Sequence, residues 1–222
     1  MGEEQHPSSS DSPHDRELVF YTNPMSRGRI VRWMLEELAV PYRTEILEYG
    51  PPMKSPDYLA LNPMGKVPAI RRGETVVTEA PAICAYLADA FPEAGLAPPA
   101  GERGAYYRWL FFAAGPLEAA VTNRNFGLAP PPDKEAMVGY GNFALTMDTL
   151  EKAVAGAGYV AGESFTAADV YVGSHILWGL HYDLIEKRPA FEAYWSRLAG
   201  REAYLRATAL DDAAGGEAAP GG

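Results

Sequence analysis

The chain has 222 residues, 47% of them hydrophobic, which suits one large domain or two small ones with a real core. Its formal net charge of −10 argues against a nucleic-acid binder, and no apolar run approaches the ~18 residues of a membrane span. One cysteine, Cys84, has nothing to pair with and the N-terminus lacks the apolar core of a signal peptide, so the expected address is the reducing cytoplasm.

The charge is uneven. Residues 1–16 carry −3 (one basic, four acidic), 17–90 carry −1 (eight basic, nine acidic) and 91–222 carry −6 (ten basic, sixteen acidic). The nearly neutral segment holds Arg27, Arg29, Arg32, Lys54, Lys66, Arg71 and Arg72. This fits either an anion site or scattered surface charge.

Taken in chain order, residues 1–16 read as a disordered tail, small and polar. Residues 17–91 alternate strand and helix: LVFYT, the helix IVRWMLEELA, YRTEILEY, a helical turn at SPDYLALN, a hairpin of VPAIRR and ETVVTE around Gly73, and the helix APAICAYLADAF. This order predicts a small α/β sheet layered by helices. Residues 92–102 are Pro/Gly-rich and read as a linker. From 103 to 212 the pattern is all-helical, in four runs: YYRWLFFAAGPLEAAV kinked at Pro116, MVGYGNFALTMDTLEKAVAG, TAADVYVGSHILWGL and AFEAYWSRLAGREAYLRAT. Residues 213–222 read as a second disordered tail.

Several chemistries drop out. His6 and His14 lie in the tail, His175 and His181 lack the spacing of a helical metal pair, and one cysteine leaves no zinc pattern, so no metal is expected. Gly156 to Ala161 spells a dinucleotide-loop pattern, but it follows a helix rather than a strand.

Other runs carry more. In Leu18 to Leu38 a strand passes through Pro24 and Ser26 into a helix, whose N-terminal N–H groups and partial positive charge suit an anion. In Asn62 to Pro68, a Val67–Pro68 bond before a strand leaves the valine backbone free to pair with an extended peptide-like ligand. Glu79, at the start of the next helix, has the charge to hold an ammonium group, with helix-end N–H groups nearby for a carboxylate. Thr166 to Asp169 has the form of a capping box and is assigned to folding, and Cys84 to core packing.

Together these runs resemble the cytosolic glutathione transferases. The resemblance covers about residues 17–210 and rests on YTNPMSRGRIVRWMLEEL, KSPDYLALNPMGKVPAI, VVTEAPAICAYLADAFP and GESFTAADVYV, in that order. It implies a thioredoxin-like domain that holds glutathione, an all-α domain that shapes the second-substrate pocket, and a homodimer. It places Lys54 and Lys66 at the glycyl carboxylate and Val67, before a cis Pro68, against the cysteinyl moiety. Glu79 and Ala80 receive the γ-glutamyl end; Ala80 departs from the family's usual serine, removing a hydroxyl but keeping the N–H. No cofactor beyond glutathione as co-substrate is implied.

Such enzymes stabilise the glutathione thiolate, which is the nucleophile. A shift of ~2 pKa units corresponds to about 2.7 kcal/mol, and one hydrogen bond to a charged group contributes roughly 1.5–3 kcal/mol. Ser26 is the preferred partner of the sulfur, with Tyr21 and Asn23 as alternates. Roles as a plain N-cap for Ser26 and a packed strand aromatic for Tyr21 stay open. No cysteine stands in Asn23 to Ser26, which argues against thiol–disulfide exchange. Trp109, Phe112 and Trp178 are expected either to line the hydrophobic pocket or to be core. The functions in play are conjugation of a hydrophobic electrophile, hydroperoxide reduction, or a non-catalytic carrier or regulator of the same fold.

Overall fold

The computed structural model describes residues 17–156 and 158–217; the rest of the two expected tails lies outside them. The first unit runs β1 (Leu18–Thr22), α1 (Gly28–Leu38), β2 (Arg43–Ile46), α2 (Pro56–Leu61), β3 (Ala69–Arg72), β4 (Thr75–Thr78) and α3 (Ala80–Ala90). Its sheet has the order β2-β1-β3-β4, with β1 parallel to β2 and antiparallel to β3, and β3 antiparallel to β4. In this register Phe20 lies beside Thr44 and Ile70. Alternation sends Leu18, Phe20 and Ile70 into the core shared with α1 and α3, while Tyr21 faces Tyr58 of α2 across 5.8 Å.

The second unit is all-helical: α4 (Gly104–Phe112), α5 (Glu118–Asn125), α6 (Phe143–Val154), α7 (Ala167–His181), α8 (Pro189–Ala199) and α9 (Glu202–Glu217). Pro116 lacks an N–H, and the chain absorbs it in a π-helical turn, Ala113–Leu117, between α4 and α5. The capping box on α7 is formed. Asp169 accepts from the Thr166 N–H (2.8 Å), the Val160 N–H (2.8 Å) and the Tyr194 hydroxyl (2.7 Å), and so ties three segments together.

Three boundaries differ from the sequence reading. Helix α6 starts at Phe143 rather than Met137, because Gly141 takes a positive φ of 66° and Asn142 then caps the Leu145 N–H at 2.9 Å. The last predicted helix is two, α8 and α9, separated around Gly200. Helix α9 then continues to Glu217, five residues into the expected tail, where Ala213 and Ala214 favour helix and Gly215 lies against Pro24.

Helix α9 returns to the first unit and lies along α1, where charges match. Arg29 and Arg32 of α1 pair with Asp212 and Asp211 at 2.6 Å each. Glu37 and Glu36 pair with Arg201 (2.6 Å) and Arg206 (3.1 Å). The Arg32–Asp211 pair is buried, its side chains only 5% and 1% exposed, and Arg32 also donates to Tyr42 and Thr44 at 3.3 Å. Trp33 fills the space beside it against Tyr204, Phe165 and Trp195.

Removing one member of a buried pair strands the other charge, which typically costs about 3–5 kcal/mol. Asp211→Ala is therefore expected to lower the unfolding free energy by about that amount in urea titration. A loss under ~1 kcal/mol, the range of an exposed pair, would show that α9 does not hold α1 through Arg32.

Candidate functional site

The site begins at the turn between β1 and α1. Asn23 is buried, and its amide donates to the Leu47 carbonyl (2.9 Å) while its oxygen accepts the Met25 N–H (2.9 Å). Both ends of that side chain are thus spent on holding the turn. Ser26 is half-buried, two residues before Gly28, the first residue of α1, with Arg27 between them at the N-cap. Its hydroxyl donates to the Asn23 carbonyl (2.7 Å) and accepts the Gly28 N–H (2.9 Å). The same Asn23 carbonyl also accepts the Ser26 N–H at 3.0 Å. Arg29 fixes the far side by donating to the Pro24 carbonyl at 2.6 Å. No acid stands in the first turn of α1; the carboxylates that reach its mouth, Glu118 and Asp212, pair with the side chains of Arg27 and Arg29.

A second wall comes from the loops on either side of α2. The Lys54 ammonium donates to the carbonyls of Met64 (2.9 Å) and Gly65 (3.0 Å). Gly65 allows that approach with its φ of 57°, since a Cβ there would stand 2.7 Å from the Lys54 nitrogen. The Tyr58 hydroxyl (2.6 Å) and the Asn62 amide (2.7 Å) both donate to the Lys66 carbonyl and set the chain entering Val67. Burial raises the Tyr58 hydroxyl to about 12, so it stays a donor. The Val67–Pro68 bond is cis, and the Val67 backbone forms no hydrogen bond among the described residues.

The third wall is helical: Leu177, Trp178 and His181 from α7, Tyr182 just after it, and Tyr204 from α9. Between the walls lies a cleft of about 760 Å³ that also contains Ser26, Lys54, Lys66 and Val67. Four cations (Arg27, Arg29, Lys54 and Lys66) line it, and among the described residues no carboxylate does. Arg27 forms an ion pair with Glu118 on α5. Behind that pair lies a second chamber of about 380 Å³, lined by Leu117, Val121 and Ile185 and sharing Arg27 and Trp178 with the cleft. His175 lines it and is neutral, because burial, with Arg27 nearby, lowers its pKa to about 3.

Two family profiles match the chain: the glutathione S-transferase N-terminal domain over residues 25–90 and the C-terminal domain over 129–202. Glutathione S-transferase 3 of Zea mays is 30% identical over 70% of this chain and 76% of its own length. A glutathione S-transferase of Xanthomonas campestris is 27% identical over 87% of this chain and all of its own. Among solved structures, a glutathione transferase homologue from Sulfitobacter with bound glutathione superimposes with a TM-score of 0.68. It is 27% identical, over 88% of this chain and 97% of that one.

The chain belongs to the glutathione S-transferase family. Its two units have that family's architecture, a four-stranded mixed sheet with helices followed by a helical domain. The site residues expected from sequence fall into three groups. Ser26, Lys54, Lys66, Val67 and Trp178 share the cleft. Tyr21, Asn23, Pro68, Glu79 and Ala80 do not line it. Tyr21 sits on the strand face under α2, and Ala80 is buried at the first residue of α3. Glu79 is exposed, with a positive φ of 67°, at the N-cap of α3. Its charge and those of Glu118 and Arg27 are all felt by Tyr171, whose pKa burial raises first of all.

Trp109 and Phe112 lie elsewhere. They pack on each other at 5.4 Å within the helical core, and neither lines the cleft, because their positions on α4 face the bundle. The cleft takes its aromatics instead from the loop after β2, from the end of α7 and the residue after it, and from α9. Sequence reasoning passed over Tyr49, Tyr182, Tyr204 and His181, the last having been weighed only as a metal ligand. Cys84 is fully buried, and burial raises its thiol to about 12, which suits packing and not reactivity.

Gly28 sets how closely α1 can approach the end of β1, since a Cβ there would stand 1.9 Å from the buried Thr22 hydroxyl. Gly28→Ala is expected to cost about 1–3 kcal/mol in chemical denaturation through overpacking. Unchanged stability would mean that the turn carrying Ser26 is not held at this distance by contact.

Proposed function

We propose that the cleft holds glutathione extended from Lys54 and Lys66 to Glu79, with its sulfur at Ser26, and that the thiolate attacks a hydrophobic electrophile. The observation that carries this reading is the shared wall of Ser26, the unpaired Val67 backbone and the two lysines. Glutathione is an extended tripeptide with two carboxylates, one ammonium and one thiol. The lysines complement the glycyl carboxylate, Val67 the cysteinyl amide, Glu79 the ammonium and the Ala80 N–H the γ-glutamyl carboxylate.

In the reaction the thiol proton passes to solvent and the sulfur lone pair forms the new S–C bond. With an aryl halide the halide departs with its bonding pair. Reduction of a hydroperoxide by the same thiolate is a second reaction open to the site.

Ser26 meets the sulfur at small internal cost. When its hydroxyl turns away from the Asn23 carbonyl, that carbonyl keeps the Ser26 N–H at 3.0 Å. The Gly28 N–H continues to donate to the oxygen, which polarises the hydroxyl as a donor. The hydroxyl's internal bond is also what favours the carrier reading, in which Ser26 only shapes the turn.

Kinetics separate the two. Ser26→Ala is expected to lower turnover of an aryl halide about tenfold or more at neutral pH, the worth of one charge-assisted bond. Losing that bond raises the pKa of the bound thiol, so the deficit should shrink as pH rises and the thiol ionises unaided. Tyr21→Phe should show the smaller effect. A wild type that binds immobilised glutathione yet turns over no electrophile would establish the carrier reading.

We further propose a cytoplasmic, detoxifying homodimer, each first domain facing the partner's helical domain. Exposed Phe111 (71%) and Tyr107 (41%) on α4 and Val76 (37%) on β4 support that pairing. Sedimentation at micromolar concentration should give about twice 24.1 kDa, and a monomer mass would contradict the assembly.

A further inference from the structure

Resting on the glutathione reading above, we propose that the electrophile carries an anionic group, a carboxylate on an aromatic frame, and that Arg27 receives it. The cleft has four cations and, among the described residues, no carboxylate, in a chain of net charge −10. On the proposed pose the glycyl carboxylate takes Lys54 and Lys66. The γ-glutamyl end lies at Glu79 and Ala80, off the cleft lining. Two guanidinium groups, Arg27 and Arg29, then remain on the Ser26 side with Trp178 and His181 of α7, each paired with one carboxylate that does not line the cleft, Glu118 and Asp212.

The two arginines are not equally free. Arg29 is held at two points, by the Pro24 carbonyl and by Asp212, and its side chain is 29% exposed. Arg27 touches only Glu118, through Nη2; its side chain is 53% exposed, and among the described residues its other side-chain N–H groups have no partner. A guanidinium fork with free donors matches a carboxylate two bonds at a time. An exposed ion pair such as Arg27–Glu118 is weak and yields readily to a better-placed acid.

Position agrees with charge. Arg27 follows Ser26 directly, and it borders both the cleft and the chamber behind it. A planar acceptor laid against Trp178 thus has its reacting carbon near the sulfur, its acid at Arg27, and about 380 Å³ of mixed space beyond, apolar at Leu117, Val121 and Ile185 and polar at Glu118 and Asn125. The opposing charges are Glu118, which pairs with Arg27 and also lines the chamber, and the C-terminal end of α7, about half a negative charge; the incoming carboxylate takes the guanidinium N–H groups that Glu118 leaves open.

The test uses two aryl chlorides, a chloronitrobenzoate with chlorine ortho to the nitro group and the corresponding neutral benzamide. In each, the thiolate forms the C–S bond as a ring pair moves onto the nitro group, and that pair then returns to the ring as chloride leaves with the C–Cl pair. The thiol proton goes to solvent. Each kcat/KM is divided by the uncatalysed rate with glutathione, which removes the difference in intrinsic reactivity. The benzoate-to-benzamide ratio also cancels any effect of Arg27 on the thiolate, which both substrates share.

Wild type is expected to favour the benzoate by about tenfold or more, equivalent to about 1.4 kcal/mol. The preference should fall toward unity in Arg27→Gln, survive in part in Arg27→Lys, and weaken with added salt. Turnover of both substrates by wild type without a benzoate preference overturns the inference and leaves the transferase reading standing. A preference that Arg27→Gln leaves intact overturns the role of Arg27. No turnover of either substrate and no retention on immobilised glutathione overturns the reading and the inference together.

Discussion

The structure depends on the pairing of α1 with α9, two helices about 180 residues apart in sequence. Charge runs in the same order along both, arginines then glutamates on α1 and arginines (Arg201 just before the helix, then Arg206) then aspartates on α9, so it matches only with the two antiparallel. Only one mutual orientation satisfies all four pairs, and the buried Arg32–Asp211 pair makes departure from it costly. The exposed pairs add little energy, but they agree on the same register. This constraint fixes the cleft, because α1 begins at the turn bearing Ser26 while α9 supplies Tyr204 to the opposite wall.

From that frame the chemistry of the turn follows. Asn23 and Gly28 are structural necessities, the first bridging to Leu47 and the second allowing α1 to approach Thr22. Between them the Ser26 hydroxyl sits at the mouth of α1 with an over-supplied acceptor, the Asn23 carbonyl, as its resting partner. A donor that can be withdrawn without orphaning its acceptor suits a sulfur anion at a helix N-terminus. Tyr21 lacks this position, since strand alternation turns it toward Tyr58.

Much of this was legible in the sequence because it is local. The strand-to-helix turn, the proline before β3, the hairpin at Gly73 and the capping box are set by residues near one another, and all appear in the structure. What was hidden depends on distant packing. Trp109 and Phe112 belong to a helix with apolar groups on several faces, so composition alone does not say which face meets the cleft. His181 reaches the site because α7 ends there, and Tyr204, in the first turn of α9, because α9 packs along α1. The tail reading of residues 213–217 failed for the same reason, as their helix is an extension of a segment pinned by Asp211 and Asp212.

The central claim is that the anion at the mouth of α1 is the glutathione thiolate and that Ser26 stabilises it. The most direct measurement is the ultraviolet thiolate absorbance of the glutathione complex, titrated against pH for wild type, Ser26→Ala and Tyr21→Phe. The account predicts a bound thiol pKa well below that of free glutathione in wild type and Tyr21→Phe, and a rise of about one unit or more in Ser26→Ala, in line with the ~1.5–3 kcal/mol of a charge-assisted bond. A titration that shifts in Tyr21→Phe and stays put in Ser26→Ala would contradict it and leave Ser26 as a cap.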